Sequence, residues 1–269
     1  MLEPFILRAV FGVLFASFSA VVSTLMLLRG ALYITPEVSH AALGGATIGV
    51  LIQTILSDAL DPFFFVILFC IATSVFVSRA GRSGPQALGV MLSVGLALSV
   101  TLYAVVRSYL PIDKKMLVDG YLVSDLLLLS NSEVFSLAVA SSLAIVVTAL
   151  FYREFLYICF DYETAEALGL KVGFYDSLLF TISALTVAVV VRAVGVLLSV
   201  TLLVVPAATS RLLARSIRKM FILSLSIALI SGLVGIAFSF YFNVPTSGAI
   251  AVVSIALFAS AYLIRARRA

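Results

Sequence analysis

The chain has 269 residues, of which 63% are hydrophobic and only 11% are charged, and its mean hydropathy is +1.23. Soluble domains carry roughly 25% charged residues, so this composition excludes a soluble catalytic domain and indicates an integral membrane protein. The net charge of +4 does not suggest a nucleic-acid partner. Because the sequence has no GxxxxGKS or GxxxxGKT phosphate-binding loop, any ATP-driven chemistry must come from a separate chain.

Hydrophobic segments recur along the whole length, and a spanning helix needs roughly 20 apolar residues. We therefore predict one domain, residues 1–269, with an all-α polytopic membrane fold of about eight to nine transmembrane helices. The nine segments have the approximate bounds 5–28, 38–56, 62–78, 85–107, 132–152, 174–192, 194–210, 220–241 and 248–264.

Positive charges are distributed unequally between the connections. If residues 153–173 are cytoplasmic and successive connections lie on alternate sides of the membrane, 12 of the 17 Lys and Arg residues are on the cytoplasmic side, as the positive-inside rule requires. These residues are Arg29, Arg79, Arg82, Arg153, Lys171, Arg211, Arg215, Arg218, Lys219, Arg265, Arg267 and Arg268. This distribution predicts a multi-pass protein of the cell membrane whose C-terminus is cytoplasmic.

Three outer connections differ from this basic set. Residues 57–62 form a short acidic turn in which Asp58 and Asp61 either attract cations to an outer mouth or are ordinary solvated turn acids. Residues 109–133 form a longer connection, in which the apolar run 121–129 is predicted to be an interfacial helix. A Pro and a Gly in residues 243–248 predict a tight outer turn.

The cytoplasmic segment 160–172 has the signals of a short amphipathic helix. Asp161 can cap its start, Glu163 suits the positive end of the helix dipole, and Gly169 can close it in a left-handed cap. We expect this helix to direct three apolar residues toward something other than lipid: Ala165, Leu168 and Leu170. An ordinary capped surface helix explains the same local signals.

The segment F-D-Y-E-T-A-E-A-L-G-L-K-V resembles the coupling sequence of the ABC-3 family of metal-uptake permeases, F-D-P-E-x-A-x-A-x-G-L-x-V, with Tyr162 in place of the Pro. Three further stretches resemble motifs of the same family. Residues 4–9 resemble its opening P-F-x-x-R-A, residues 194–213 its G-x-L-L-x-x-x-L-L-x-x-P-A-A-x-A, and residues 244–249 its closing P-x-G-A turn. The four motifs occur in the family's order and cover nearly the whole chain.

This resemblance implies a permease like those of type II ABC importers, which is not itself an enzyme. Its expected partners are the lipid bilayer, two ATPase subunits, an extracytoplasmic metal-binding protein and a second permease copy, which makes a homodimer the expected assembly. No permanently bound cofactor is implied; the cargo is Zn²⁺ or Mn²⁺, with Fe²⁺ as a third candidate. The residues implied to dock on the ATPase are Asp161, Glu163, Ala165, Glu166, Leu168, Gly169 and Leu170.

His40 is the only histidine in the chain. A neutral imidazole binds Zn²⁺, Mn²⁺ and Fe²⁺, although a lone histidine at a helix start is more often a hydrogen-bonded core or cap residue. Ionisable groups in membrane spans usually mark a substrate path. The family's S-H-A-x-x-x-G matches Ser39, His40, Ala41 and Gly45, which implies that His40 is a metal ligand.

The family's aspartate four residues before this histidine is replaced by Pro36. Glu37 lies on nearly the same helix face as His40 and is a candidate second ligand. The alternative is a conventional helix start, with Thr35 as the N-cap, Pro36 at the first position and Glu37 complementing the helix dipole.

Two other transport classes remain as alternatives. A permease for iron chelates or cobalamin is the nearest relative in mechanism, but such permeases are usually longer. A self-contained secondary transporter usually places several ionisable residues near the membrane midplane, and beyond His40 this sequence has few. Cys70 and Cys159 have no partner spacing for a metal site or a disulfide, and we expect both to pack as small apolar residues.

Overall fold

The computed structural model describes residues 3–56, 60–81 and 85–267, and within these ranges it contains helices and no strand. The α-helices are α1 (Glu3–Phe18), α2 (Ala20–Leu28), α3 (Ile34–Ile55), α4 (Phe63–Gly81), α5 (Pro85–Tyr109), α6 (Ile112–Leu122), α7 (Asn131–Leu150), α8 (Tyr152–Phe160), α9 (Tyr162–Ala167), α10 (Val172–Leu213), α11 (Ile217–Phe242) and α12 (Thr246–Ala266). A single 3₁₀ turn covers Leu126–Leu128. The predicted all-α fold is confirmed.

Seven helices in the described ranges are long and apolar enough to cross a membrane, and Phe63–Arg79 is a shorter apolar helix. The seven are Phe5–Leu28, Ile34–Ile55, Val90–Tyr109, Asn131–Leu150, Val172–Leu213, Ile217–Phe242 and Thr246–Ala266. Together the eight agree with the predicted eight to nine spans, because the longest of them covers two of the predicted segments.

Helix α10 has 42 residues and is interrupted at Gly195, which has φ 78° and ψ 165°. Contacts with α4 show the direction of the first half. Arg192 pairs with Asp61, just before α4, whereas Asp176 accepts a hydrogen bond from Ser78 near the end of α4. Residues 172–194 therefore run antiparallel to α4 and reach the Asp61 end of the bundle at Gly195.

The second half of α10 returns in the opposite direction. Gly195 lies against the backbone of Leu122 and Ser124 after α6, and Thr246 at the start of α12 donates to Asp125 at the same end. A tight turn joins the end of α11 to the start of α12, so α11 ends at this end of the bundle and begins at the opposite end. A short connection joins the beginning of α11 to the end of α10. The two halves thus form a hairpin, and counting them separately gives nine membrane-crossing segments.

We call the two ends of the bundle the α6 end and the α9 end, after the short helix that lies at each. The α9 end has most of the described basic residues, as alternation predicted. They include Arg29, Arg79, Arg153, Lys171, Arg211, Arg215, Arg218, Lys219, Arg265 and Arg267.

Helices α3 and α4 pack with their backbones almost in contact. A Cβ atom at Gly45 would lie 2.8 Å from the Phe65 carbonyl oxygen, and one at Gly49 would lie 2.7 Å from that of Pro62. Such close approach is typical of small residues at helix interfaces in membranes. Any larger side chain at either glycine would force the two helices apart.

The connection between α5 and α7 differs from the prediction. The interfacial helix expected over 121–129 is wrong: α6 spans Ile112–Leu122, and extended backbone at Val123 separates it from the 3₁₀ turn. Arg107 holds α6 against α5 through a two-point ion pair with Asp119, at 2.7 and 2.8 Å. The hydrogen bond from Arg107 lowers the pKa of the Asp119 carboxyl, which therefore stays ionised.

Candidate metal ligands and the α9 surface

His40 lies in the second turn of α3 and is half-buried. Its Nδ1 atom is buried and has no hydrogen-bond partner among the described residues. The neighbouring Ser39 hydroxyl donates to the Thr35 carbonyl at 2.8 Å and lies 3.3 Å from the Ser199 hydroxyl on the second half of α10. The imidazole therefore sits on a firmly held part of α3 with a nitrogen that no protein group uses.

Glu37 is only 4% exposed and makes no hydrogen bond or ion pair with the described residues. Its carboxylate packs against Gly95 of α5, where a Cβ atom would overlap with it. It lines a cavity of about 670 Å³ between α3, α4 and α5, whose other lining residues are mostly apolar, such as Phe69 and Leu98. Only a glycine at position 95 leaves room for this carboxylate.

The beginning of α3 differs from the expected helix start. The helix begins at Ile34, with Tyr33 in the N-cap position, so the prediction of Thr35 as the N-cap is wrong. Pro36 is in the first turn, where its missing N–H costs no intrahelical hydrogen bond. Glu37 is in the first turn, as predicted. Its negative charge can therefore still interact favourably with the helix dipole.

The two candidate ligands lie on adjacent stripes of α3. Glu37 lines the cavity beside α5, whereas His40 is not among the residues that line it. Among the described residues, no group of three or more His, Cys, Asp or Glu side chains could hold a metal ion. Since Zn²⁺ usually takes four ligands, a complete coordination sphere needs donors beyond these two side chains.

The predicted outer mouth lies at the α6 end, although Asp58 is outside the described residues. Asp61 pairs with Arg192 at 3.3 Å, and both line a cavity of about 550 Å³ together with Glu133 and Tyr121. Burial raises the pKa of Tyr121 to about 12, so this phenol is neutral. Asp61 thus already has a cationic partner within the chain, and Glu133 is a second acid that the sequence did not single out.

The predicted capping of the α9 segment is confirmed. Asp161 Oδ1 accepts a hydrogen bond from the Thr164 backbone N–H at 3.0 Å, and hydrogen bonds from Thr164 lower the pKa of this carboxyl. Gly169 has φ +83° and no other atom within 4 Å of where its Cβ would lie. The Leu170 N–H donates to the Ala165 carbonyl at 3.1 Å, which closes the helix as a left-handed cap.

The exposed face of α9 differs from the expected one. Ala165 is 1% exposed and belongs to the apolar core of this chain, and Leu170 packs against that core. Leu168, by contrast, is 71% exposed. Because the helix has only six residues and lies flat against α8 and α10, one side of it is covered. Glu163, Glu166, Leu168 and Gly169 are among the exposed residues of this segment.

A bundle with seven helices long and apolar enough to cross a membrane, among the residues that the structure describes, defines a multi-pass helical membrane protein. The chain belongs to the ABC 3 transport family, which it matches over residues 2–265. The family resemblance of its four motifs is thereby confirmed.

Individual relatives match over shorter stretches. The manganese transport system membrane protein MntC of Listeria monocytogenes is 35% identical over 125 residues, 46% of this chain and 45% of that protein. The high-affinity zinc uptake system membrane protein ZnuB of Buchnera aphidicola is 34% identical over 118 residues, 43% and 45% of the two proteins. In these alignments the chain spans about half the length of the relatives it matches.

The fold is also similar to that of a chain in the structure of PsaBC from Streptococcus pneumoniae in complex with Fab. The TM-score is 0.78, and the alignment covers 96% of this chain and 91% of the other at 24% identity. At this identity the likeness is one of fold, and it extends over nearly the whole bundle.

Proposed function

We propose that this chain is the membrane-spanning permease subunit of an ATP-driven importer for divalent metal ions. The observation that carries the proposal is the match to the ABC 3 transport family over residues 2–265. The names of two relatives, a manganese and a zinc transport protein, make Mn²⁺ and Zn²⁺ the leading cargo ions and leave Fe²⁺ as the third.

His40 is the proposed ligand in the translocation path. Its buried Nδ1 has no hydrogen-bond partner in the part of the chain that the structure describes, and an imidazole nitrogen that is free of other bonds can bind a passing cation. Glu37 is the second candidate, since its carboxylate is buried beside a cavity and forms no ion pair with a described residue. A second copy of the chain, in a homodimer, would supply the donors that one copy lacks.

The exposed surface of α9 is the proposed docking site for an ATPase subunit. Glu163, Glu166, Leu168 and Gly169 form this surface. The exposed Asp161 caps the helix, and Ala165 and Leu170 hold the segment against the core. In this arrangement the α9 end is cytoplasmic, which agrees with its excess of basic residues. An extracytoplasmic metal-binding protein would then deliver the ion at the α6 end.

The proposal is tested by metal accumulation in cells that lack this chain. Uptake of one of Mn²⁺, Zn²⁺ or Fe²⁺, measured with a radioactive tracer, should fall and should return when the chain is supplied again. Unchanged accumulation of all three ions would contradict metal-ion transport. If only the accumulation of an iron chelate were lost, the chain would be a permease for metal chelates.

Replacing Gly169 by valine should abolish transport while the protein still reaches the membrane. The expected cost is backbone strain, because Gly169 has φ +83° and free space around it, and a left-handed conformation costs a β-branched residue roughly 1–3 kcal/mol. The strain would change the α9 surface without disturbing the core. Gly173→Val is the matched control, since that glycine has free space and no positive φ; equal uptake by both variants would remove α9 from the mechanism.

The orientation of the bundle can be measured by cysteine labelling in intact cells. Cysteines at Met116 and Val244, which are exposed at the α6 end, should react with an impermeant maleimide, whereas cysteines at Glu166 and Ser216 should react only after permeabilisation. Burial raises the pKa of the native Cys159 thiol to about 12, so its background labelling should be low. The reverse labelling pattern would place the α9 end outside.

A further inference from the structure

Three side chains from distant parts of the sequence meet at the α9 end. Arg29 Nε donates to Asp176 Oδ1 at 2.9 Å, and its guanidinium carbon lies 5.6 Å from the ring centroid of Tyr162. Arg29 follows α2, Asp176 lies in the first half of α10, and Tyr162 is the first residue of α9. One arginine therefore contacts both the proposed docking helix and the central helix of the bundle.

Arg29 also determines how the chain enters α3. It occupies the C-cap of α2, and Gly30 follows with φ +75°. The Ala31 N–H donates back to the Met26 carbonyl at 2.8 Å, which forms a closed turn. Only four residues separate Arg29 from Ile34, the first residue of α3, so a displacement of Arg29 is passed directly to the helix that carries Glu37 and His40.

Asp176 anchors the arginine in the bundle. Its side chain is 3% exposed, against 28% for that of Arg29, and its second oxygen accepts a hydrogen bond from Ser78 of α4 at 3.4 Å. A buried carboxylate without its partner is strongly unfavourable. The ion pair will therefore persist when α9 moves, so that Asp176 is the fixed point about which the Arg29 side chain turns.

Tyr162 is the α9 side of this contact. It lies next to the Asp161 cap on a six-residue helix whose outer face is exposed, and its ring attracts the guanidinium as a cation–π partner. A cavity of about 280 Å³ is lined by Arg29, Tyr33, Tyr162 and Asp176, among others. This space allows the arginine and the ring to shift together without a clash.

We propose that Tyr162 and Arg29 are positioning residues that transmit a displacement of α9 to α3, with Asp176 as the fixed point of the link. The proposal rests on the proposed function, because it takes α9 as the ATPase docking site and α3 as the carrier of the metal ligand. The ring at position 162, where the family's coupling sequence has a proline, makes the contact with Arg29.

The test uses the whole transporter reconstituted in proteoliposomes with its ATPase and binding protein, and it measures metal ions transported per ATP hydrolysed. Tyr162→Leu keeps an apolar side chain but loses the aromatic face, and it should lower this ratio about threefold to fivefold. Tyr162→Phe keeps the face and should stay within about twofold of the unchanged protein. Arg29→Lys, which retains the charge but not the planar fork, should lower the ratio as well.

The double variant Tyr162→Leu with Arg29→Lys separates a shared link from two independent effects. If both residues act through one contact, the double variant should be no worse than the more impaired single variant. If the losses of the two single variants multiply in the double variant, the proposed link is overturned. An unchanged number of metal ions transported per ATP in Tyr162→Leu would also overturn it. Equal losses of uptake and ATP hydrolysis in that variant would indicate a docking defect and would also overturn it. Absence of ATP-driven uptake of Mn²⁺, Zn²⁺ and Fe²⁺ by the unchanged transporter would instead contradict the proposed function.

Discussion

Replacing His40 by alanine is expected to reduce metal uptake by about 10–100-fold or more, since loss of even an outer-shell partner of a metal site typically has effects of this size. His40 is the only imidazole in the chain, and its buried Nδ1 bonds to no described protein group. Its removal therefore leaves no protein hydrogen-bond partner unsatisfied, and the amount of assembled protein should not change. Tracer uptake, normalised to purified complex, is the measurement.

Glu37→Gln is the companion variant that separates the two roles of this acid. It keeps the shape of the side chain beside Gly95 but removes the charge. A large loss of uptake at unchanged thermal stability would establish Glu37 as a ligand. A small loss of uptake with stability lowered by about 0.3–1 kcal/mol would identify it as a helix-dipole acid. Full uptake by His40→Ala would contradict the assignment of the metal path and leave the fold and family unaffected.

The Gly195→Ala variant should yield little assembled protein. The φ 78° and ψ 165° of Gly195 lie in a region that is essentially restricted to glycine and costs other residues roughly 1–3 kcal/mol. In addition, its new Cβ would lie 2.8 Å from the Ser124 backbone nitrogen and 3.1 Å from the Leu122 carbonyl oxygen. The hairpin of α10 could then form only if the chain after α6 moved away.

Size-exclusion yield and the midpoint of thermal unfolding are the measurements for this variant. Gly248→Ala is the matched control at the same end of the bundle, because it has no positive φ and no atom within 4 Å of the new Cβ. It should assemble and unfold like the unchanged protein. A Gly195→Ala protein that assembles and unfolds identically would show that the two halves of α10 can be joined in another way.

Much of the fold could be predicted from sequence because span location depends on local hydrophobicity. Each of the nine predicted segments overlaps a membrane-crossing segment of the structure, including both halves of α10. The caps of α9 were also predictable, since Asp161 and Gly169 act on backbone groups within a few residues of themselves. The helix predicted over 121–129 failed because the chain is extended at Val123 and because Leu126 and Leu129 turn into the core.

The arrangement of the candidate site depends on contacts that no local pattern contains. Arg29 and Asp176 are 147 positions apart in sequence, and each taken alone is an ordinary charge near a helix end. The burial of Glu37 depends on a glycine of another helix, at position 95. Ala165 was expected to face a partner, but the close packing of α9 on α8 and α10 covers it.

The glycine contact between α3 and α4 determines which part of the bundle can move. Gly45 and Gly49, one turn apart, bring the α3 backbone against that of α4, and such interlocked surfaces have no slack for sliding. The two helices should therefore act as a single rigid body in any transport cycle. The cavity beside Glu37 provides free volume along the boundary with α5, so this boundary is where the rigid pair has room to tilt.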